Sequence, residues 1–405
     1  MVEHWTENPG VGGSIPPLST PGMPVEPVET WGHGLSLLVS LLVLTATIAP
    51  AGAGSWETVL FRHDFNTSVN GSPDADVWLV NHPGHWWWTQ GRTHFPEPST
   101  PGLPSPRVED GICVIEHHHY NPWDLGNPNE WFLGGEIRTV DAFAPNRAYR
   151  FEARVRSQPF QNGLVSSFFL YGYDGANSDE VDFEFVSKWT NDDEVWPDGD
   201  PVLTNTWNES AQKPLVVVPE ALDLSEWNTF RIYWYPSAHR IDWAWLDPVN
   251  GETLLRTETD SAFVPDEPMA IYFNFWAPCY TSWGHGCDAW DAAADSSLQP
   301  VNAEGQNVIF SYEIDYIEAI ATLGDVSGDG IVNGLDVSPF VHILTSGLYD
   351  VSADMNGDGA VNGLDVDSFV AAVLDVGTQT VPEPSALILA TGALLVLFCR
   401  RCKAC

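Results

Sequence analysis

Three acidic residues stand at every second position of one short stretch, Glu180, Asp182 and Glu184, and the apolar residues Val181, Phe183 and Phe185 fill the positions between and after them. Successive side chains of a strand take opposite faces, so this pattern puts three carboxyl groups on one face and three apolar groups on the other. Like charges in a row repel, and a fold keeps them only where something offsets or uses the repulsion. Two carboxyl groups held together can cleave a glycosidic bond: one attacks the sugar carbon while the other protonates the leaving oxygen. Retaining cleavage wants the pair about 5 Å apart, yet backbone positions four residues apart in a strand are separated by about 13 Å. Glu180 and Glu184 must therefore lean toward each other, which long glutamates can do and aspartates cannot. Asp182 sits between them, and its charge raises the proton affinity of whichever neighbour serves as the acid. Spacing alone leaves the roles of the two glutamates unassigned.

The elements that position these groups read as all β. From Trp56 to Ile320, short alternating runs such as Tyr149–Arg156 and Phe230–Tyr235 are separated by Gly, Pro and Asn turns, with no long stretch of helical spacing. That pattern predicts a sandwich or jelly roll. With 16 basic against 55 acidic residues the 405-residue chain carries a net charge of −39, which repels polyanions and excludes nucleic acid as a partner. A neutral polysaccharide fits better. Nineteen Trp and eleven Tyr supply aromatic faces that either stack on sugars or fill a two-sheet core; Trp86-Trp-Trp88 and Trp123 are candidates for both. His117-His-His119 does not read as a metal site, because neighbours in a strand face opposite ways. Cys279 and Cys287 flank a short loop suited to a disulfide in an exported chain, and Cys113 reads as a buried thiol.

The stretch Glu180-Val-Asp-Phe-Glu184 resembles the Glu-x-Asp-x-Glu signature of glycoside hydrolase family 16, and Gly163–Tyr171 resembles the strand that precedes it in the bacterial lichenases of that family. The resemblance extends from Val59 to Ile320. It implies a concanavalin-like β-jelly-roll sandwich and retaining, endo-acting hydrolysis of a β-glucan, mixed-linkage β-1,3-1,4-glucan or a related one. Glu180 would be the nucleophile, Glu184 the general acid/base and Asp182 their assistant. Gly135-Glu-Ile-Arg138, Asn205-Thr-Trp207 and Asn274-Phe-Trp276 are similar to the family's cleft-lining segments, which makes Glu136, Arg138, Asn205, Trp207, Asn274 and Trp276 the expected sugar contacts. Two departures bear on the substrate: Ser178 stands where lichenases place a Trp, and Trp189–Asp200 looks like an added loop. The alternatives are a surface lectin of the same fold that binds polysaccharide without cutting it, and a transglycosylase.

Beyond Ile320 the character changes. Asp325–Asp336 and Asp354–Asp365 repeat one twelve-residue pattern at an offset of 29. Each copy sets oxygen ligands at loop positions 1, 3, 5 and 12, a Gly at 6 for the turn and a backbone carbonyl at 7. The predicted calcium ligands are Asp325, Ser327, Asp329, Ile331 and Asp336, then Asp354, Asn356, Asp358, Ala360 and Asp365, with Ca2+ the only cofactor and none needed for the chemistry. Helical spacing follows each loop, over Val337–Leu344 and Val366–Leu374. The pair resembles a type I dockerin, which implies a small α-helical module and a cohesin-like scaffold as partner. Many dockerins carry Ser-Thr at loop positions 10 and 11, where both copies here have Gly-Leu.

The ends read as targeting. Residues 1–34 are rich in Pro and Gly, and Leu35–Ile48 is an apolar run followed by Ala49-Pro-Ala-Gly-Ala53, the small-residue pattern of a signal-peptide cleavage site. Val381-Pro-Glu-Pro-Ser385, an apolar run from Ala386 to Cys399 and Arg400-Arg401 together resemble a PEP-CTERM sorting tail, implying an exosortase-like enzyme as a further partner. The expected organisation is a leader over residues 1–54, a catalytic jelly roll over 55–322, the calcium module over 323–376 and the tail over 377–405. The expected place is the cell envelope or the extracellular medium.

Overall fold

The computed structural model describes residues 56–66, 71–81, 88–122, 132–158, 161–187, 200–281 and 290–376. The leader, the sorting tail, Trp86, Trp87, Trp123, Cys287 and the added loop up to residue 199 lie outside them. In chain order the strands are β1 (Glu57–His63), β2 (Trp78–Val80), β3 (Trp88–Gln90), β4 (Thr93–Phe95), β5 (Arg107–Glu109), β6 (Ile112–His118), β7 (Phe132–Leu133), β8 (Gly135–Thr139), β9 (Tyr149–Gln158) and β10 (Val165–Tyr173). They continue as β11 (Ser178–Val186), β12 (Val202–Asn208), β13 (Ala211–Gln212), β14 (Leu215–Val217), β15 (Asn228–Tyr235), β16 (Arg240–Asp247), β17 (Gly251–Glu258), β18 (Ala270–Trp276) and β19 (Ile309–Thr322). Two helices follow, α1 (Val337–Ser346) and α2 (Val366–Val376).

The strands form two sheets. The smaller runs β13-β12-β11-β10-β18-β8-β2, with β14 also on β12. The larger runs β17-β16-β15-β9-β19-β6-β7-β4-β3, with β1 on β19 and β5 on β6. This is the β-jelly-roll sandwich that the alternating runs predict. Its core fills the space between the sheets with Val181, Phe183 and Phe185 of β11, Phe168 and Leu170 of β10, and Phe230, Ile232, Trp234, Trp243 and Tyr312 from the opposite layer. Burying about 25 cal/mol per Å2 of apolar surface, such aromatic layers dominate the stability of a sandwich. Many of the tryptophans are thus core: Trp78, Trp234 and Trp243 are fully enclosed.

The outer face of the larger sheet is covered by ion pairs rather than by protein. Arg62–Glu318, Arg154–Asp315, Arg156–Glu313 and Arg231–Glu152 each join neighbouring strands, and Arg150–Glu57 joins β9 to β1 across β19. Five of the sixteen basic residues are spent on this polar surface, which keeps a long sheet soluble. At the end of β6 His117 turns into the core and His118 outward onto Glu116, at 2.9 Å, and His119, just past the strand, is buried again. Cys113 is a free, buried thiol. Cys279 is disulfide-bonded; its partner lies outside the described residues.

After β19 only two residues separate the last strand position from the first calcium loop. Phe340 of α1 and Phe369 of α2 stack with ring centres 3.8 Å apart. They form a small core with Val332, Ala353, Met355 and Ala372, and Trp56, next to the start of β1, packs on it. The backbone N–H of Leu323 donates to the Trp56 carbonyl at 2.6 Å. The module is seated on the sandwich, not tethered at a distance.

Candidate active site

The hairpin that carries β11 is set by local chemistry. In the turn Asp174-Gly175-Ala176-Asn177, the Asp174 carboxylate accepts the N–H of Ala176 and of Asn177, both at 2.7 Å. Gly175 takes φ +95° with open space around it, a conformation that side-chain-bearing residues rarely adopt. The hairpin pairs β10 with β11 in an unbroken register, and β12 continues it on the other side.

Register then lays out the outward face of the smaller sheet in rows. Glu184 is opposite Ser167 of β10 and Leu203 of β12, and Ser167 is opposite Asn274 of β18, itself opposite Glu136 of β8. Asp182 lies in the next row with Asn205, Phe169, Tyr272 and Arg138. Glu180 shares the third row with Trp207, Tyr171 and Ala270. Residues from five strands therefore meet on one face, and five of the six expected sugar contacts lie in these rows. The sixth, Trp276, is 4% exposed, packed on Gly91 and stacked with Trp290 at 6.1 Å. By alternation it lies one row beyond Asn274 on the same face, in a small cluster with Phe95, Val165, Leu203 and Ala293.

The electrostatics follow from the crowding. Glu180 and Glu184 are half-buried and Asp182 is buried. Desolvation raises the proton affinity of all three, and mutual repulsion adds to it for Asp182 and Glu184. Asp182 is pushed well above its ordinary value by desolvation and by the charges of Glu180 and Glu184; its carboxyl is hydrogen-bonded to Glu180 and reaches Asn205. With the proton on Asp182, the O–H donates to Glu180 and favours its ionised form, as the opposite signs of that bond's effect on the two groups require. Burial between two glutamates favours the neutral form of Asp182 as well, the form in which its O–H donates to Glu180. Glu136, buried in the far strand, is pushed up to about 7 by desolvation, against the hydrogen bond from Asn274 and the charge of Arg138, and with the help of Glu180.

Several site residues escape the motif. Ser167 Oγ donates to Asn274 Oδ1 at 2.7 Å and so holds the amide that faces Glu136. Phe169 stacks on Tyr272 with ring centres 4.9 Å apart, and Tyr171 meets Tyr272 edge-on. They form an aromatic strip beside the carboxyl row, legible only as alternate positions of β10 and β18. Asp179 points away from the site: its carboxylate accepts the N–H of Glu209 at 3.2 Å, of Asp266 at 2.9 Å and of Glu267 at 3.0 Å. It pins the start of β11 next to Glu180.

The two calcium loops have matching internal bonds. Asp325 accepts the N–H of Gly328, Asp329 and Gly330, and Asp336 those of Ser327 and Asn333. Asp354 accepts from Asp358 and Gly359, and Asp365 from Asn356 and Asn362. Among the described residues no three His, Cys, Asp or Glu side chains form a ready metal cluster; the carboxylates of each loop rest on backbone N–H groups. The donor set is nevertheless one of hard oxygens, as Ca2+ takes. Burial and the charges of Asp336 and Asp329 raise Asp325 to about 6, a repulsion that a divalent cation would offset. Helices α1 and α2 begin directly after the two loops, at the residues the spacing predicts.

Residues 128–292 match the family model of glycosyl hydrolases family 16, and residues 323–373 match that of the dockerin type I domain. The sandwich therefore carries a glycosyl hydrolases family 16 domain, which makes the protein a glycoside hydrolase, and a dockerin type I domain, a calcium-binding module, follows it. Among solved structures it is similar to a prokaryotic β-1,3-1,4-glucanase (lichenase) derived from a mouse hindgut metagenome, with 20% identity over 65% of this chain and 99% of that one and a TM-score of 0.43. It is also similar to the β-glucanase of Bacillus licheniformis, with 21% identity over 66% of this chain and 98% of that one and a TM-score of 0.44. A third is the catalytic domain of an endo-1,3-β-glucanase (laminarinase) from Thermotoga petrophila RKU-1, with 15% identity over 66% of this chain and 99% of that one and a TM-score of 0.47. No curated protein matches the chain.

Proposed function

We propose that the protein is an exported, endo-acting, retaining β-glucanase that cuts mixed-linkage β-1,3-1,4-glucan or a related glucan. The observation that carries this reading is the row Glu180, Asp182, Glu184 on one face of β11, with raised proton affinities and a hydrogen bond joining Asp182 to Glu180. Glu180, whose ionised form the Asp182 donor favours against desolvation, attacks the anomeric carbon. Glu184, kept protonated at neutral pH by burial and by the charge of Glu180, gives its proton to the leaving oxygen. The same Glu184, now ionised, takes a proton from the water that hydrolyses the glycosyl-enzyme. Glu136, Arg138, Asn205 and Asn274 offer polar contacts to sugar hydroxyls, and Trp207 with the Tyr171–Tyr272 strip offers stacking faces. The Gly-Leu pairs at 334–335 and 363–364 expose Leu335 and Leu364 by 67% and 70%, which suits an apolar footprint on a cohesin-like scaffold once both loops hold Ca2+. The leader, the sorting tail and an exosortase-like enzyme would place the protein at the cell envelope or outside it.

The test is reducing-end release from mixed-linkage β-glucan, laminarin and xyloglucan by the wild type and by Glu180→Gln. Release from one of them that the substitution abolishes supports the proposal. Binding to a glucan with no new reducing ends from either protein would favour a lectin instead.

A further inference from the structure

Strand β17 carries a bulge. Trp243 of β16 is opposite Arg256, but the next residue, Ala244, is opposite Leu254, so Leu255 is extra. A bulge inverts the alternation beyond it and re-aims side chains. Before it Glu252 and Leu254 are exposed; after it Arg256 and Glu258 are buried, at 7% and 4%. An edge strand of the larger sheet thereby sends a cation and an anion into the sandwich.

Arg256 crosses the sandwich to the site-bearing sheet. Its Nη2 donates to Glu258 Oε2 at 3.0 Å, and its Nη1 donates to the Thr204 carbonyl of β12 at 2.8 Å. Thr204 is the register partner of Phe183, the residue between Asp182 and Glu184. The guanidinium carbon lies 4.5 Å from the centre of the Trp243 ring, and Trp243 Nε1 donates to the Asp182 carbonyl at 2.9 Å. The cation thus stands behind the middle of the carboxyl row. Glu258 also accepts from Lys213 Nζ at 2.9 Å, so two cations share one anion and the group keeps a positive charge. Buried ion pairs add little net stability, so stability alone does not explain this one.

We infer that Arg256 is a positioning residue for the glycosidic reaction: through Thr204 and Trp243 it locks β12 and β11 in register, and it supplies a fixed positive charge behind Glu180, Asp182 and Glu184. The inference deepens the proposed function and rests on its reading of those carboxyl groups as the reacting ones. The other charged or titratable groups facing the row are Glu136 and Arg138 of β8, Tyr171 of β10 and Tyr272 of β18, all on the outward face. Removing the rear charge favours the protonated carboxyls, so both limbs of the pH–activity profile move to higher pH. Removing Glu258 leaves the guanidinium uncompensated and moves them lower.

The test uses the full-length protein with 13C-carboxyl-labelled glutamate. Glu180 and Glu184 signals, assigned with their Gln variants, are titrated in the wild type, Arg256→Met, Arg256→Lys and Glu258→Gln, beside kcat/KM against pH on mixed-linkage β-glucan. Arg256→Met is expected to raise the titration midpoints by about 0.5 to 1 pH unit. Arg256→Lys should restore most of the shift, and Glu258→Gln should reverse its sign. Midpoints and limbs in Arg256→Met that coincide with the wild type would overturn the inference. Should Arg256→Met not fold, the midpoint difference between Arg256→Lys and Glu258→Gln decides, and no difference overturns it. Shifted midpoints in a protein that hydrolyses no glucan would refute the proposed function while leaving the charge placement standing.

Discussion

At the scale of residues, the raised proton affinities have consequences for both chemistry and stability. Glu180→Gln removes the nucleophile and is expected to lower kcat by about 1,000-fold or more, measured as reducing-end release. Asp182→Asn keeps a hydrogen-bond donor toward Glu180 and should lower kcat less, by about 10- to 100-fold. A carboxyl whose proton affinity rises on folding stabilises the protein below the ordinary carboxyl range, and that stability is lost as pH rises through the folded-state value. Glu184 is such a group. Glu184→Gln should therefore melt higher than the wild type at mildly alkaline pH, with the gap closing below about pH 4. A gap that widens toward acid pH would reverse the assignment of the buried, protonated form.

At the scale of elements, β11 works because both of its faces are fixed. Val181, Phe183 and Phe185 are anchored in the core, and Asp179 holds three backbone N–H groups at the strand's start. Asp179→Ala leaves those donors without their acceptor and is expected to destabilise the fold by about 2 to 4 kcal/mol in denaturant titrations, with activity falling in parallel. The carboxyl row and its strand were legible in the sequence because period-two alternation is a local signal. So were the two calcium loops, whose ligands lie within twelve consecutive residues, and the helices behind them. The partners across the sheet were legible only as short matching segments: nothing local in Asn274 or Glu136 says they are neighbours, since pairing of β18 with β8 joins residues more than a hundred positions apart. The inward turn of Arg256 was illegible for another reason. It depends on one extra residue, Leu255, whose place as a bulge is set by the tertiary packing of β17 on β16.

At the scale of the whole molecule, the calcium module and the sandwich share a surface. Gly328 and Gly330 of the first loop come so close to Arg147, Ser237 and Tyr235 that a Cβ on Gly330 would lie 2.3 Å from the Tyr235 ring. Arg147 also faces Asp350 at 3.6 Å. Ordering of the first loop is thereby coupled to the end of β15. Chelation of Ca2+ should lower the melting temperature of the full-length protein and speed hydrogen exchange at residues 235–239, which adjoin that loop, more than in β10 or β18. Equal exchange in both places would mean that the module and the sandwich unfold independently.

The account's central claim is that Glu180 and Glu184 divide the work of one double displacement. Azide rescue of the two alanine variants tests it most directly, because a small anion enters whichever space the missing carboxylate leaves. With Glu180→Ala, azide should restore cleavage of an activated β-glucoside and give the α-glycosyl azide. With Glu184→Ala it should intercept the glycosyl-enzyme and give the β-glycosyl azide. The exchanged configurations would transpose the two roles, and the same configuration from both variants, or full activity in either without azide, would contradict the mechanism.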